Sequence, residues 1–303
     1  MRQQAFAGSS PRQRRWREAG LAYLFLLPTL LGLLFFTVGP VIAGFLISFT
    51  NWNIFLPPQW VGLDNYSALF TQDLPRKVFG NTLYYTAINV PLNMGLALAV
   101  ALLLNLRLRA VAFYRAIYFL PVVTSTVAAA LIWNWLYSPN FGPINYALAA
   151  IGIDGPPWLA STTWAMPAVI LMSVWKGFGI NMLIFLAGLQ GIPQELLEAA
   201  MIDGANRWQR FWRVTWPLLT PTTFFVLVIS CIASFQVFEQ VFVMTEGGPA
   251  YATTVLGLFI YLNAFRYNNM GYAAAAAYVL FAVILVITLV QLRLQNRWTH
   301  YEL

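Results

Sequence analysis

Six stretches of this chain are apolar over lengths that cross a bilayer as a helix, which takes about 20 residues. They lie near residues 21–49, 80–104, 112–137, 163–189, 218–243 and 272–292. A spanning β-strand needs only about 9–11 residues with strict alternation. The runs here are longer and rich in Leu, Ala and Val, as in Met94–Leu104. A helix satisfies its own backbone bonds in lipid, so these runs are expected to be helices. Pro28 and Pro40 within the first run predict a kink. The whole chain is 60% hydrophobic and 9% charged, against about 45–50% and about 25% for a soluble domain. The expected fold class is therefore all-α: a polytopic membrane protein with six transmembrane helices.

Charge sets the topology. The N-terminal tail carries Arg2, Arg12, Arg14, Arg15 and Arg17, and the C-terminal tail Arg293 and Arg297. The second loop carries Arg107, Arg109 and Arg115, and the fourth Arg207, Arg210 and Arg213. The other three loops hold only Arg76, Lys77 and Arg266. This asymmetry predicts both termini and the two basic loops on the cytoplasmic side. The expected location is a cell membrane, crossed several times. The first apolar run is too long for the h-region of a cleaved signal, about 7–15 residues, and reads as a retained span. The net charge of +7 follows from this placement of arginine, and no nucleic-acid partner is expected. Cys231 and His300 are the only residues of their kinds, so no metal site is expected.

The longest inner loop has an internal order. Pro193 stands where a helix can begin, and Glu195 and Glu198 lie early in that helix, at the positive end of its dipole. Leu196, Leu197, Ala200 and Met201 supply an apolar face, and Gly204 after Asp203 suits a helix stop. A second amphipathic stretch follows, with Arg207, Arg210 and Arg213 spaced by three among Trp208, Phe211 and Trp212, and Pro217 closes it. Two readings stand: an interfacial helix that only anchors the protein, or a docking surface, since carboxylates are repelled by anionic lipid.

The segment Glu198-Ala199-Ala200, Gly204, Val214, Trp216-Pro217 resembles the EAA loop of binding-protein-dependent ABC importers, with Val214 where that family prefers Ile and Trp216 where it prefers Leu. Other segments are similar to the carbohydrate-permease branch (the maltose and glycerol-phosphate permease-like proteins). They include Leu26-Leu27-Pro28, Ser48-Phe49-Thr50, Val61–Tyr66, Asn81-Thr82, Phe119-Leu120-Pro121, Trp175-Lys176, Ala187–Gln190, Gly247-Gly248-Pro249 and Gly271–Ala274. The resemblance implies a division into a cytoplasmic tail (1–20), a peripheral first helix (21–49), a five-helix core (77–293) holding a coupling loop (193–216), and a C-terminal tail (294–303). It implies that Glu198, Ala199, Ala200, Asp203, Gly204 and Pro217 couple the bundle to a cytoplasmic ATPase. It also implies the partners: two ATPase copies, a second related permease and an extracytoplasmic solute-binding protein, all around a subunit embedded in membrane lipid. The chain has no G-x-x-x-x-G-K-[ST] loop, and its only lysines are Lys77 and Lys176. It is expected not to be an enzyme and to bind no cofactor, with ATP and Mg used by the partner.

Ionisable groups inside spans are functional candidates. Lys176 lies in the fourth span, and Glu239 in the fifth, with Gln236 three residues before it on the expected helix. They form either a packing pair, Lys176–Glu239, or part of a polar lining. Thr124, Ser125, Ser173, Trp175, Asn181 and Ser234 add hydrogen-bonding and aromatic groups suited to a sugar. The expected function is the permease subunit of an ATP-driven sugar importer, forming half of an alternating-access pathway. Alternatives are a polyol-phosphate cargo, an ion-coupled secondary transporter or a membrane enzyme. The transporter is disfavoured by the near absence of carboxylates in the spans, and the enzyme by the lack of a convergent catalytic set.

Overall fold

The structure, a computed structural model, describes residues 11–106 and 110–298. Arg2, Arg107, Arg109 and His300 lie outside the described residues, as do positions 1–10 of the expected N-terminal tail and 299–303 of the C-terminal one. Among the described residues there is no β-strand, only the isolated bridges Thr50↔Trp60 and Asn53↔Asn269.

The first run is one continuous helical rod. Helix α1 (Pro11–Leu33) passes through a π-turn (Leu34–Val38) into α2 (Gly39–Ile47). The π-turn stands just before Pro40, one of the two prolines at which a kink was expected. Pro40 would press on the carbonyl of Phe36 in a regular helix. The wider turn, closed by Gly39 N–H on the Leu34 carbonyl, lets the chain pass that point. This rod has none of its most apolar window buried within the chain. It touches the rest through Phe45 against Tyr278 at 5.2 Å and a hydrogen bond from the Tyr278 hydroxyl to the Val41 carbonyl.

The linker after the first rod contains α3 (Asp64–Thr71). Asn65 Nδ2 donates to the carbonyls of Ser48 and Thr50 at 2.9 and 2.8 Å, and the Tyr66 hydroxyl meets Ser48 Oγ at 2.7 Å. Two separated motifs of the sequence thus form one joint at the C-terminal end of the first rod.

The core begins with α4 (Asp73–Leu104). The expected third span is not one straight helix. It is α5 (Val111–Val123) and α6 (Thr126–Leu136), bent by 95° at Thr124-Ser125. After α7 (Pro143–Ala150) comes α8 (Ala165–Gln190), the central helix, with 61% of its most apolar window buried. The inner arm consists of α9 (Gln194–Ile202) and α10 (Arg207–Arg210), which continues through a second π-turn (Phe211–Thr215) into α11 (Trp216–Phe235). Here too the π-turn ends two residues before a proline, Pro217. The fifth span breaks at Gln236–Phe238, and α12 (Glu239–Thr245) turns away. Helix α13 (Leu256–Tyr261), a third π-turn and α14 (Met270–Trp298) complete the chain. By length and apolarity five helices can span, or six when the bent α5–α6 pair counts as one.

Lipid removes much of the hydrophobic force between helices, so packing and interhelical hydrogen bonds must hold them together. Helix α8 meets both needs. A Cβ at Gly179 would come within 2.6 Å of the Tyr118 carbonyl on α5, and one at Gly188 within 2.5 Å of Thr222 on α11. Its lower half packs Phe178, Met182, Phe185 and Leu189 against Ala97, Leu104 and Leu219. Its upper half packs Val169 and Met172 against Tyr85, Val241 and Leu258.

Candidate functional site

Three helices carry polar residues at multiples of four: Tyr85, Asn89 and Asn93 on α4, Ser173 and Asn181 on α8 with Gly177 between them, and Ser230 and Ser234 on α11. Residues four apart share one helical face. The fold turns these faces toward one another. Asn181 Nδ2 donates to Asn93 Oδ1 at 2.8 Å and to Ser230 Oγ at 2.9 Å, and Asn89 Nδ2 donates to Ser234 Oγ at 2.9 Å. On α12, Gln240 Nε2 donates to the Tyr85 hydroxyl at 3.2 Å and to Ser173 Oγ at 3.3 Å.

Beside this network lies a cavity of about 390 Å³, lined by Tyr85, Asn89, Asn93, Ser173, Lys176, Asn181, Ser234 and Gln240. Small-molecule sites run from about 300 to 1,000 Å³. Its chemistry is that of amides and hydroxyls, with one ammonium. The Oδ1 of Asn89 is buried without a hydrogen-bond partner.

Four of the expected pathway residues line this cavity: Ser173, Lys176, Asn181 and Ser234. Lys176 makes no direct ion pair with Glu239 among the described residues, although the two charges lie near enough to interact. Its Nζ donates to the carbonyls of Val122 at 3.2 Å and Thr124 at 2.8 Å. Both carbonyls belong to the C-terminal end of α5, where helical partners are lost, so the ammonium caps α5 at the bend. An ammonium has three protons, which leaves one for the cavity.

Thr124, Ser125, Trp175, Gln236 and Glu239 are not among the cavity-lining residues. Thr124 and Ser125 form the exposed bend, and Trp175 rests on Trp133 at 5.6 Å between centroids. Gln236 and Glu239 were expected on one helical face. The break between α11 and α12 separates them, and both are exposed. Tyr85, Asn89, Asn93 and Ser230 were missed, although their i, i+4 spacing on α4 and α11 was legible. Gln240 was missed too, and only the turn of α12 brings it to the cavity.

The inner arm forms a second locus. Helix α9 ends in a Schellman turn: Ala205 N–H donates to the Ala200 carbonyl at 2.9 Å and Gly204 N–H to that of Met201 at 3.1 Å. Gly204 has φ +78°, the left-handed conformation this motif needs. Two residues on, Asn206 and Gln209 form a reciprocal capping box on α10. Two helix ends therefore share the short hinge 203–206. Leu197 and Ile192 pack into the lower core, whereas Glu195, Glu198, Ala199 and Ile202 face outward. The apolar face expected from the sequence is thus split: Leu197 and Ala200 are half-buried, and Leu196 and Met201 are exposed.

A helical membrane bundle with a polar internal cavity and a protruding, rigidly capped arm defines a membrane permease subunit in architecture. Residues 92–300 match the family described as "Binding-protein-dependent transport system inner membrane component", and the chain belongs to that family. It is 41% identical over 304 residues to the probable ABC transporter permease protein YesP of Bacillus subtilis (strain 168), covering 98% of this chain and 97% of that protein. It is 36% identical over 281 residues to the trehalose/maltose transport system permease protein MalF of Thermococcus litoralis, covering 92% and 95%. A chain of the bacterial alginate ABC transporter, solved in complex with an alginate pentasaccharide-bound periplasmic protein, is similar at 27% identity with a TM-score of 0.84, covering 96% of this chain and 99% of that one. This chain is accordingly a multi-pass membrane permease subunit of the ABC importer type.

Proposed function

We propose that the chain forms half of the translocation pathway of an ATP-driven importer for a neutral sugar or oligosaccharide. The observation that carries this is the cavity between α4, α8, α11 and α12, built of amides and hydroxyls around a single ammonium. Lys176 spends two of its donors on the α5–α6 bend. A polyol phosphate would need more free cations than this. The relatives named for trehalose/maltose and for alginate support a carbohydrate class. In this reading Ser173, Lys176, Asn181 and Ser234 contact cargo from the cavity. Thr124, Ser125, Trp175, Gln236 and Glu239 lie on exposed surface that a second, related permease closes over. An extracytoplasmic solute-binding protein delivers the cargo, and both termini are cytoplasmic.

Energy comes from two copies of a cytoplasmic ATPase that use ATP and Mg. Glu198 and Ala199 on the outward face of α9 offer a polar contact and a close-packing surface, with Ala200, Asp203 and Gly204 completing the hinge and Pro217 opening α11. Leu197 ties α9 to the lower core, so displacement of α9 is transmitted to α8 and α11.

The test is sugar uptake and ATP hydrolysis by the complete importer in vesicles. Glu198→Lys is expected to leave assembly and hydrolysis in place while uptake falls at least tenfold. Normal uptake in this variant would sink the coupling assignment, and uptake that persists without ATP would favour an ion-driven mechanism.

A further inference from the structure

The half of the inner arm beyond Gly204 has a property that ATPase docking does not use. No Asp or Glu occurs between Asp203 and Glu239, while Arg207, Arg210 and Arg213 fall within seven residues. Among the described residues no carboxylate pairs with any of the three. Beside them Trp208, Trp212 and Trp216 form a ladder, with centroid separations of 5.6 Å and 5.8 Å. Trp208 is 70% and Trp212 46% exposed, and Arg207 and Arg213 are exposed as well.

The packing of α11 sets the depth of the ladder. Leu219 packs with Leu104 and Leu189 at the ends of α4 and α8, while Ser234 near the other end of α11 bonds Asn89 midway along α4. The residues before Leu219 therefore run past the ends of the neighbouring spans toward the headgroups, where indole rings are at home. Arginine forks suit phosphate oxygens, and the cytoplasmic leaflet carries the anionic lipids.

We infer that Arg207, Arg210, Arg213 and the Trp208–Trp212–Trp216 ladder form a binding site for an anionic phospholipid of the cytoplasmic leaflet. The guanidinium groups hold the headgroup phosphate, and the indoles lie along the glycerol and upper acyl region. Because the short hinge 203–206, closed by the Schellman turn on one side and the capping box on the other, joins this half to α9, the bound lipid anchors the lever that the ATPase moves. The inference rests on the proposed cytoplasmic placement of the arm.

The test uses the complete importer in phosphatidylcholine vesicles doped with brominated phosphatidylglycerol, compared with the same mole fraction of brominated phosphatidylcholine. Bromine quenches nearby indoles, and the difference between wild type and W208F/W212F isolates the signal of the ladder. The anionic lipid is expected to quench this signal in preference to the zwitterionic one. Each arginine is expected to supply roughly a fivefold preference at low salt, lost stepwise in Arg213→Gln and R207Q/R213Q and reduced by added salt. Equal quenching by the two lipids overturns the inference, leaving ordinary boundary lipid. Absence of quenching by either also overturns it, since a protein partner then covers the ladder. ATP coupling in Glu198→Lys is measured on the same vesicles. Normal coupling there, with the lipid preference intact, refutes the coupling reading and leaves the lipid site standing.

Discussion

Gly204→Ala tests the lever most directly, because its effect can be worked out before it is measured. A Cβ at Gly204 meets nothing within 4 Å, so the substitution removes no contact and adds no clash. What changes is the backbone: φ is +78°, a conformation that costs an L-residue with a Cβ about 1–2 kcal/mol. That cost falls on the Schellman turn, whose bonds are Ala205 N–H to Ala200 and Gly204 N–H to Met201. A loss of 1–2 kcal/mol corresponds to a roughly 5–30-fold rise in the open population of this turn. Hydrogen exchange at the amides of Gly204 and Ala205 should accelerate by that factor in Gly204→Ala, while amides of α8 stay unchanged. On the coupling role proposed for this hinge, uptake per ATP hydrolysed should fall. Gly204→Asn should do less harm than Gly204→Ala, because Asn tolerates the left-handed region. Unchanged exchange at Ala205 in Gly204→Ala, or Asn proving worse than Ala, would refute the reasoning.

Three further substitutions probe the bundle. Asn181→Leu strips partners from buried Asn93 and Ser230 and should lower stability by about 1–3 kcal/mol, read as a drop in the thermal unfolding midpoint of the assembled importer. Lys176→Met frees the carbonyls of Val122 and Thr124. It should impair uptake more than Lys176→Arg, whereas a Lys176→Met importer with normal transport would remove this residue from the pathway. Gly179→Leu drives a side chain into the Tyr118 carbonyl. Because close-packed helices resist overpacking at about 1–3 kcal/mol, this variant should separate α5 from α8 and reduce the yield of assembled importer in detergent, measured by size exclusion.

Motif residues that the sequence shows as isolated fragments become intelligible as joints. Asn81 Nδ2 donates to the carbonyls of Tyr251 and Thr254 at 2.8 and 2.9 Å, and Thr82 Oγ1 accepts from Leu256 N–H at 2.9 Å. Residues some 170 positions apart thus pin the outer Gly247–Thr254 loop to α4. Such pairs are invisible to periodicity, which reports only which face of a helix is polar. The α11–α12 break was equally hidden, since Gln236-Val237-Phe238 contains neither Gly nor Pro. Its conformation is set by neighbours: Phe238 stacks on Phe242 and Tyr261, and Gln240 reaches Tyr85 and Ser173.

Sequence alone determined the solvent, the approximate spans and the division of the inner arm at Gly204. Each follows from local physics: apolar length against bilayer thickness, and a glycine where a helix must stop in the left-handed region. Tertiary structure decided where the polar stripes meet. Tyr85, Asn89 and Asn93 become part of a cavity only because α8 brings Ser173 and Asn181, and α11 brings Ser230 and Ser234, to the same depth. It also decided what Lys176 does. From the sequence, a cation in a span seeks a carboxylate. In the fold, two backbone carbonyls at the α5–α6 bend lie closer, and they claim it.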